Sequence, residues 1–318
     1  MKLNLRWSVA ICVVLCNRVV FWTPSESSSV VARPLVGREI SNEATCDDWA
    51  SWLPPRTDPA VVLQVVNEPY ADLQRNFIRL MELNSGFTRQ NLYLLCLDDA
   101  SVPIFASLGI RCVPLGALKF VTNNDLWKTR VRVVSCLVTK GYDVIMSDSD
   151  ALWLGDPMEY ISLSSTSSVI ASRGSYPPFI GQQWGVTLCM GFIMFRATGA
   201  AMDIFQNTMA RIVLKTGDDQ IAVNHAALKL GVVWDKSSDM RYRRSKSFGK
   251  GTIADLSTDD GESFEIALLP HNKFTRHCLG TPVTNETMVA HCIHKKNAGE
   301  KMGWMQELNL WSPYGSSP

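Results

Sequence analysis

Four short apolar runs, at residues 60–66, 91–97, 111–115 and 142–147, alternate with stretches whose apolar residues recur at helical spacing. Runs apolar throughout suit strands covered on both faces. In the first intervening stretch Leu73, Phe77, Leu80 and Met81 share one helical face, and Gly86 follows. Residues 102–108 predict a short helix. Residues 125–140 predict a longer one, with Leu126, Val133, Val134, Leu137 and Val138 inward and Gly141 as a left-handed cap. This alternation predicts an α/β fold with a mostly parallel sheet flanked by helices, and ligands of such sheets sit beyond the carboxyl ends of the strands. Further along, residues 187–196 read as a strand, 201–215 and 218–230 as helices, and 266–269 and 288–292 as short strands, with no internal repeat.

Asp148 and Asp150 stand directly after the fourth run. Alternate residues of an extended segment face the same way, so both carboxylates can turn toward one hard cation that keeps positions open for phosphate oxygens. Asp-x-Asp also arises as a turn former or helix cap, because aspartate side chains bond nearby amides. Neighbouring residues must decide between the two. With 31 basic against 30 acidic residues the net charge is +1, which excludes a global field for nucleic acid. Any anionic ligand must be met locally. At 318 residues and 46% hydrophobic, the chain has core enough for one large domain or two small ones and is not disordered.

Lys2 and Arg6 precede an apolar run over residues 7–16, followed by Asn17, Arg18 and the apolar Val19, Val20, Phe21 and Trp22. Read to Cys16, this is the apolar core of a secretory signal peptide; read to Trp22, it is a short signal anchor. Charges ahead of the run favour a cytoplasmic N-terminus, and the lack of a small-x-small cleavage pattern before Thr23 favours an anchor over residues 1–22. Either way the remainder is expected in the secretory lumen, as a single-pass type II protein of the Golgi or endoplasmic-reticulum membrane if the segment is kept. Residues 23–58, rich in Ser, Pro and charge, read as a stem or linker. Residues 59–310 hold the folded domain and 311–318 a tail.

Beyond the targeting segment lie Cys46, Cys96, Cys112, Cys136, Cys189, Cys278 and Cys292, with no Cys-x-x-Cys pair to suggest zinc. Those in apolar runs read as buried small hydrophobes, and Cys278 with Cys292 is a candidate disulfide. Asn285-Glu286-Thr287 is a glycosylation sequon, expected in an exposed loop. The Ser-rich residues 162–168 read as a surface loop and the basic residues 241–250 as solvated surface.

The run from Lys128 to Leu154, with Gly141-Tyr142-Asp143-Val144 leading into Ser147-Asp148-Ser149-Asp150 and Trp153-Leu154-Gly155-Asp156-Pro157 leading out, resembles the nucleotide-diphospho-sugar transferase domain of glycosyltransferase family 77. Weaker echoes keep the same order over residues 60–302: Asn67 after the opening strand, Gly191-Phe192-Ile193-Met194-Phe195-Arg196, Asp219-Gln220 at a helix start, and His291 ahead of Lys301. The resemblance implies a GT-A fold with a Rossmann-like sheet, a UDP-sugar donor, a manganese or magnesium ion, retention at the anomeric carbon, and a glycan or glycoprotein acceptor. It implies that Asp148, Asp150 and His291 hold the metal, with His294 as the alternative histidine and His271 and His277 less favoured. It implies donor contacts from Asn67, Lys128, Asp148, Gly191 and Lys301, the last as a cation beside the diphosphate, and a catalytic pair, Asp219 and Gln220, bordering the reacting sugar. Such a reaction leaves negative charge on a diphosphate, which a metal and nearby cations stabilise. The chain departs from the family in Cys189, where many relatives carry a polar residue, and in a longer, more basic connection from His291 to Lys301.

Two other readings use the same residues. A haloacid-dehalogenase-type phosphatase would take Asp148 as nucleophile and Gly217-Asp218-Asp219 as its later acidic cluster, but Leu152 and the three strand units before the motif oppose it. The other is a non-catalytic binder that kept the fold, which the presence of both aspartates and the histidine opposes.

Overall fold

The computed structural model describes residues 45–52, 60–115, 123–243, 245–259, 261–276, 283–291 and 297–311. The targeting segment, His277, His294 and the candidate pair Cys278 and Cys292 lie outside the described residues.

In chain order the elements are α1 (Cys46–Ala50), β1 (Val61–Val66), α2 (Ala71–Asn84), β2 (Leu92–Cys96), α3 (Ser101–Ala106), β3 (Cys112–Pro114), α4 (Asn123–Thr139) and β4 (Val144–Ser147). There follow β5 (Ala151–Trp153), α5 (Met158–Ile161), β6 (Ser167–Gly174), α6 (Pro178–Trp184), β7 (Thr187–Phe195), α7 (Ala200–Thr216) and α8 (Asp219–Lys229). The last are β8 (Val233–Trp234), β9 (Gly249–Ser257), β10 (Ser263–Leu268), β11 (Phe274–Thr275), β12 (Val289–His291) and α9 (Ala298–Glu307). The apolar runs become β1 to β4, and Gly141 takes the left-handed conformation after α4 with φ 83°.

The main sheet has nine strands in the order β3-β2-β1-β4-β7-β6-β10-β9-β8. Only β7 and β9 oppose the common direction, so the α/β, mostly parallel expectation holds. Strand β1 shows why its run is apolar throughout. Val61 and Leu63 join the core layer containing Val131 of α4, Phe205 of α7 and Ala222 of α8, while Val62 and Val66 join the opposite layer with Phe77 of α2, Phe105 of α3 and Trp153. Each such side chain contributes about 1.5–3 kcal/mol when fully buried. Strand order reverses between β1 and β4, which is where an open α/β sheet leaves a crevice at its carboxyl edge. A second sheet, β11-β12-β5, has His291 opposite Ala151 in antiparallel register.

Several stretches fold differently from expectation. The stem reading fails for residues 45–52: Thr45 caps α1 with a reciprocal Asp48 bond, Trp49 is buried, and a disulfide joins Cys46 to Cys136 on α4. Cys96 and Cys112 are also disulfide-bonded to each other, so among the described cysteines only Cys189 is a buried free thiol. In the presumed loop 162–168, residues 162–164 form a 3-10 turn, and Ser167 and Ser168 open the buried strand β6. Their hydroxyls find partners in Glu265 and Thr198, which is how a polar sequence sits inside a sheet. The basic residues 241–250 are not simply solvated. Buried Arg173 on β6 donates to the carbonyls of Asp239, Arg241, Ser247 and Leu269, gathering this segment onto the sheet before β9 begins at Gly249. Asn285 is exposed, as its sequon requires.

Candidate active site

The turn after β4 is pinned at three points. Asp148 N–H donates to Gly191 O at 2.9 Å, Ala151 N–H donates to Asp148 O at 2.9 Å, and Trp153 Nε1 donates to Ser147 Oγ at 3.2 Å. Held this way, Asp148 and Asp150 face His291, whose position follows from the β12–β5 register. The ring's Nε2 lies 3.6 Å from Asp148 Oδ2 and 3.5 Å from Asp150 Oδ1. Nε2 is buried and has no hydrogen-bond partner. A buried nitrogen without a partner, aimed between two carboxylates, suits a shared cation: one ligand atom from each of the three residues falls within 4.8 Å of the others. Two carboxylates and one imidazole are donors for manganese or magnesium, the imidazole tilting the preference toward manganese. His271 is elsewhere, edge-on to Tyr242 at 5.5 Å, its pKa pushed down to about 4 by burial and by Arg173, Arg243 and Arg276.

Cations surround the carboxylates. Lys301 Nζ is 2.5 Å from Asp150 Oδ2, and Arg130 bridges Asp148 (Nη1, 3.2 Å) and Asp219 (Nε, 3.2 Å). Asp219 is buried at the start of α8, and burial lifts its carboxyl to about 6 against the pull of Arg130. Gln220 donates from Nε2 to Tyr176 O at 2.7 Å. Beside the carboxylates lies a cavity of about 300 Å³ between β1 and β4, lined among others by Asn67, Tyr70, Trp127, Arg130, Asp148, Asp150 and Lys301.

Of the residues singled out in sequence, Asn67, Asp148, Asp150 and Lys301 line this cavity, while His291 and Asp219 do not but contact the lining residues Asp148, Asp150 and Arg130. Lys128 does not line it. The α4 helix turns Trp127 and Arg130 inward, and Lys128 lies 3.9 Å from Asp125. Gly191 does not line it either. A Cβ there would overlap His291 Cε1 and stand 2.6 Å from Nδ1, so the glycine makes room for the histidine. Arg130, Tyr70, Trp127 and Arg276 escaped the sequence reading. Arg130 had a signal: it lies between Leu126 and Val133–Val134 on the inner stripe of α4, where a charge needs a partner.

Burial alone would lower the pKa of His291, but the charge of Asp150 and contact with Cys189, whose Sγ is 4.0 Å from Nδ1, raise it to about 9. A histidine raised above its unfolded value contributes stability that is complete below pH 6.5 and lost as pH climbs through 9. Metal ligation needs the deprotonated ring. The metal-free protein is therefore expected to melt lower as pH rises from 6.5 to 9, whereas stabilisation by a divalent cation ligated through His291 would grow over the same interval. Melting curves with and without manganese, oxygen excluded, check this; parallel trends in the two series would remove His291 from the ligand set.

A family model for nucleotide-diphospho-sugar transferases matches residues 118–305, covering the Asp-x-Asp turn, Asp219, His291 and Lys301. No curated protein matches the chain by sequence. Among solved structures, the chain is similar to the glycosyltransferase GlyE of Streptococcus pneumoniae, with a TM-score of 0.46 and 12% identity over 82% of this chain and 66% of that one. It is similar to the bifunctional glycosyltransferase WbbM, with a TM-score of 0.45 and 12% identity over 81% and 52%. Mouse xyloside xylosyltransferase 1 gives a TM-score of 0.38 and 8% identity over 54% and 82%. The chain thus spans just under two thirds of GlyE and about half of WbbM.

Proposed function

The chain belongs to the nucleotide-diphospho-sugar transferase family, and we propose that it is a manganese-dependent, retaining glycosyltransferase of the family 77 type, moving a sugar from a UDP-sugar to a glycan or glycoprotein. The observation that carries this reading is the convergence of Asp148, Asp150 and His291 beside a cavity of about 300 Å³ that both aspartates line. Family membership replaces the phosphatase reading, and the meeting of Asp148, Asp150 and His291 supports catalysis over a binder that kept the fold.

In this mechanism the nucleotide enters between β1 and β4, where Asn67 offers its amide and Tyr70 and Trp127 offer aromatic faces. A divalent cation held by Asp148, Asp150 and His291 would offset charge building on the leaving diphosphate. Lys301, already against Asp150, supplies a further positive charge at that end. Arg130 holds Asp148 and Asp219 in fixed relation, so the ligand turn and the start of α8 act as one unit. Asp219 and Gln220 then border the sugar on the side away from the nucleotide. With a carboxyl near 6, Asp219 is poised to offer negative charge or a hydrogen bond near neutral pH.

A secretory location is part of the proposal. The pairs Cys46–Cys136 and Cys96–Cys112 are expected of oxidising compartments, and the exposed Asn285 sequon agrees with a lumenal domain. No described helix is long and apolar enough to cross a membrane, and residues 1–22 lie outside the described residues.

The test is hydrolysis of a panel of nucleotide sugars with and without manganese. One or a few UDP-sugars are expected to release UDP, and only with the metal. Turnover of phosphomonoesters, or equal rates without metal in chelator-treated protein, would defeat the proposal.

A further inference from the structure

Two buried arginines, Arg173 and Arg276, lie outside the lining of the cavity, and they differ in how they are satisfied. Arg173 spends its guanidinium on backbone carbonyls. Arg276, just after β11 and only 7% exposed, has no hydrogen-bond partner at Nε or Nη1 among the described residues. An unpaired buried cation is costly and is normally matched by an anion or by fixed oxygens. Cys189 acts on Arg276 through its charge most strongly, followed by Tyr242, Asp148 and Asp150, yet no ion pair joins either aspartate to it. A cation between those carboxylates would neutralise them further.

Other groups converge on the same point. A Cβ built on Gly174 would lie 2.7 Å from Thr187 Oγ1, 3.1 Å from Arg276 Nη1 and 3.3 Å from Gln220 Nε2, so groups from β7, β11's end and α8 meet over one bare backbone position. Thr187 Oγ1 is itself buried without a partner. Tyr176, whose carbonyl accepts from Gln220 Nε2, is exposed. Gln220, which borders the reacting sugar in the proposed mechanism, links this point to the saccharide.

Resting on the proposed glycosyltransferase activity, we propose that Arg276, with Thr187 and Gln220, forms a subsite for a carboxylate carried by the saccharide at the reaction centre. A guanidinium fork matches a carboxylate with paired N–H bonds, and a neutral hydroxyl uses the fork less fully. Two saccharides meet there, the transferred sugar and the acceptor, and either can carry the group.

Calorimetric binding with manganese present separates them. The ligands are UDP, UDP-glucose and UDP-glucuronic acid, and then methyl glucoside and methyl glucuronide added to the UDP-loaded protein. One acidic member is expected to bind about tenfold more tightly than its neutral twin. Arg276→Gln is expected to erase that preference while UDP binds as before, and Thr187→Val, which keeps the shape and removes the hydroxyl, to reduce it. Preference within the UDP-sugar pair places the carboxylate on the donor, and preference within the glycoside pair places it on the acceptor; both uphold the subsite. No preference in either pair, a preference that survives Arg276→Gln in a folded variant, or an equal loss of binding by UDP itself overturns it. Failure of UDP to bind the unaltered protein with manganese would instead defeat the proposed activity and take the subsite with it.

Discussion

Asp150→Asn is expected to lower manganese-dependent donor binding and turnover by at least about 100-fold while the protein stays folded. Asparagine keeps the size of the side chain but offers a neutral amide to a hard cation beside a diphosphate. The structure also sets the cost to stability. Relief of repulsion between neighbouring carboxylates would predict a gain, but Asp150 is already compensated by Lys301 at 2.5 Å and His291 at 3.5 Å. Although burial opposes ionisation, His291 and Lys301 hold its carboxyl well below the usual range. A carboxyl depressed in the folded state stabilises the protein above its unfolded pKa, so neutral pH lies where that contribution is present. The variant leaves Lys301 without its ion-pair partner and is expected to lose about 3 kcal/mol. Calorimetric titration with manganese and UDP, together with melting curves, reads both effects. Full manganese-dependent activity in the folded variant would sink the metal assignment.

Much of this site was legible because it rests on short-range pattern. The alternation that becomes β1 to β4 places Asp148 and Asp150 at a strand's carboxyl end, and direct measures of spacing suffice for that. His291 was legible only through the family resemblance. Its arrival beside Asp150 depends on β12 pairing with β5, and β5 is too short to announce itself by periodicity. Strand β6 was missed because four of its eight residues are Ser or Arg, and their partners are supplied by segments distant in sequence. Lys128 and Arg130 show the same limit within one helix. Two residues' rotation around α4 separates a lysine beside Asp125 from an arginine that ties the ligand turn to α8. Arg276 had no local signal, since its meaning comes from Gly174, Thr187 and Gln220 on other elements.

Gly191→Ala is expected to weaken metal binding on the order of 100-fold through a residue that is not a ligand. The added Cβ would overlap His291 Cε1 and lie 2.6 Å from Nδ1 and 2.9 Å from Nε2, so something must move. The backbone of β7 cannot readily do so, because it is paired to β4 on one side and β6 on the other, and its nine residues are buried. The ring must therefore turn or withdraw. It is 3% exposed and has Cys189 Sγ 4.0 Å from Nδ1, which leaves little free space for a benign rotation. Such overpacking costs about 1–3 kcal/mol, and the displaced Nε2 no longer faces both carboxylates. A double-mutant cycle separates the two consequences. His291→Ala removes the ring that clashes, so Gly191→Ala is expected to cost far less stability in the His291→Ala background than alone, while metal affinity stays low in both. Additive losses of stability, or a Gly191→Ala protein that binds manganese as tightly as the unaltered one, would show that the glycine does not hold a place for the histidine.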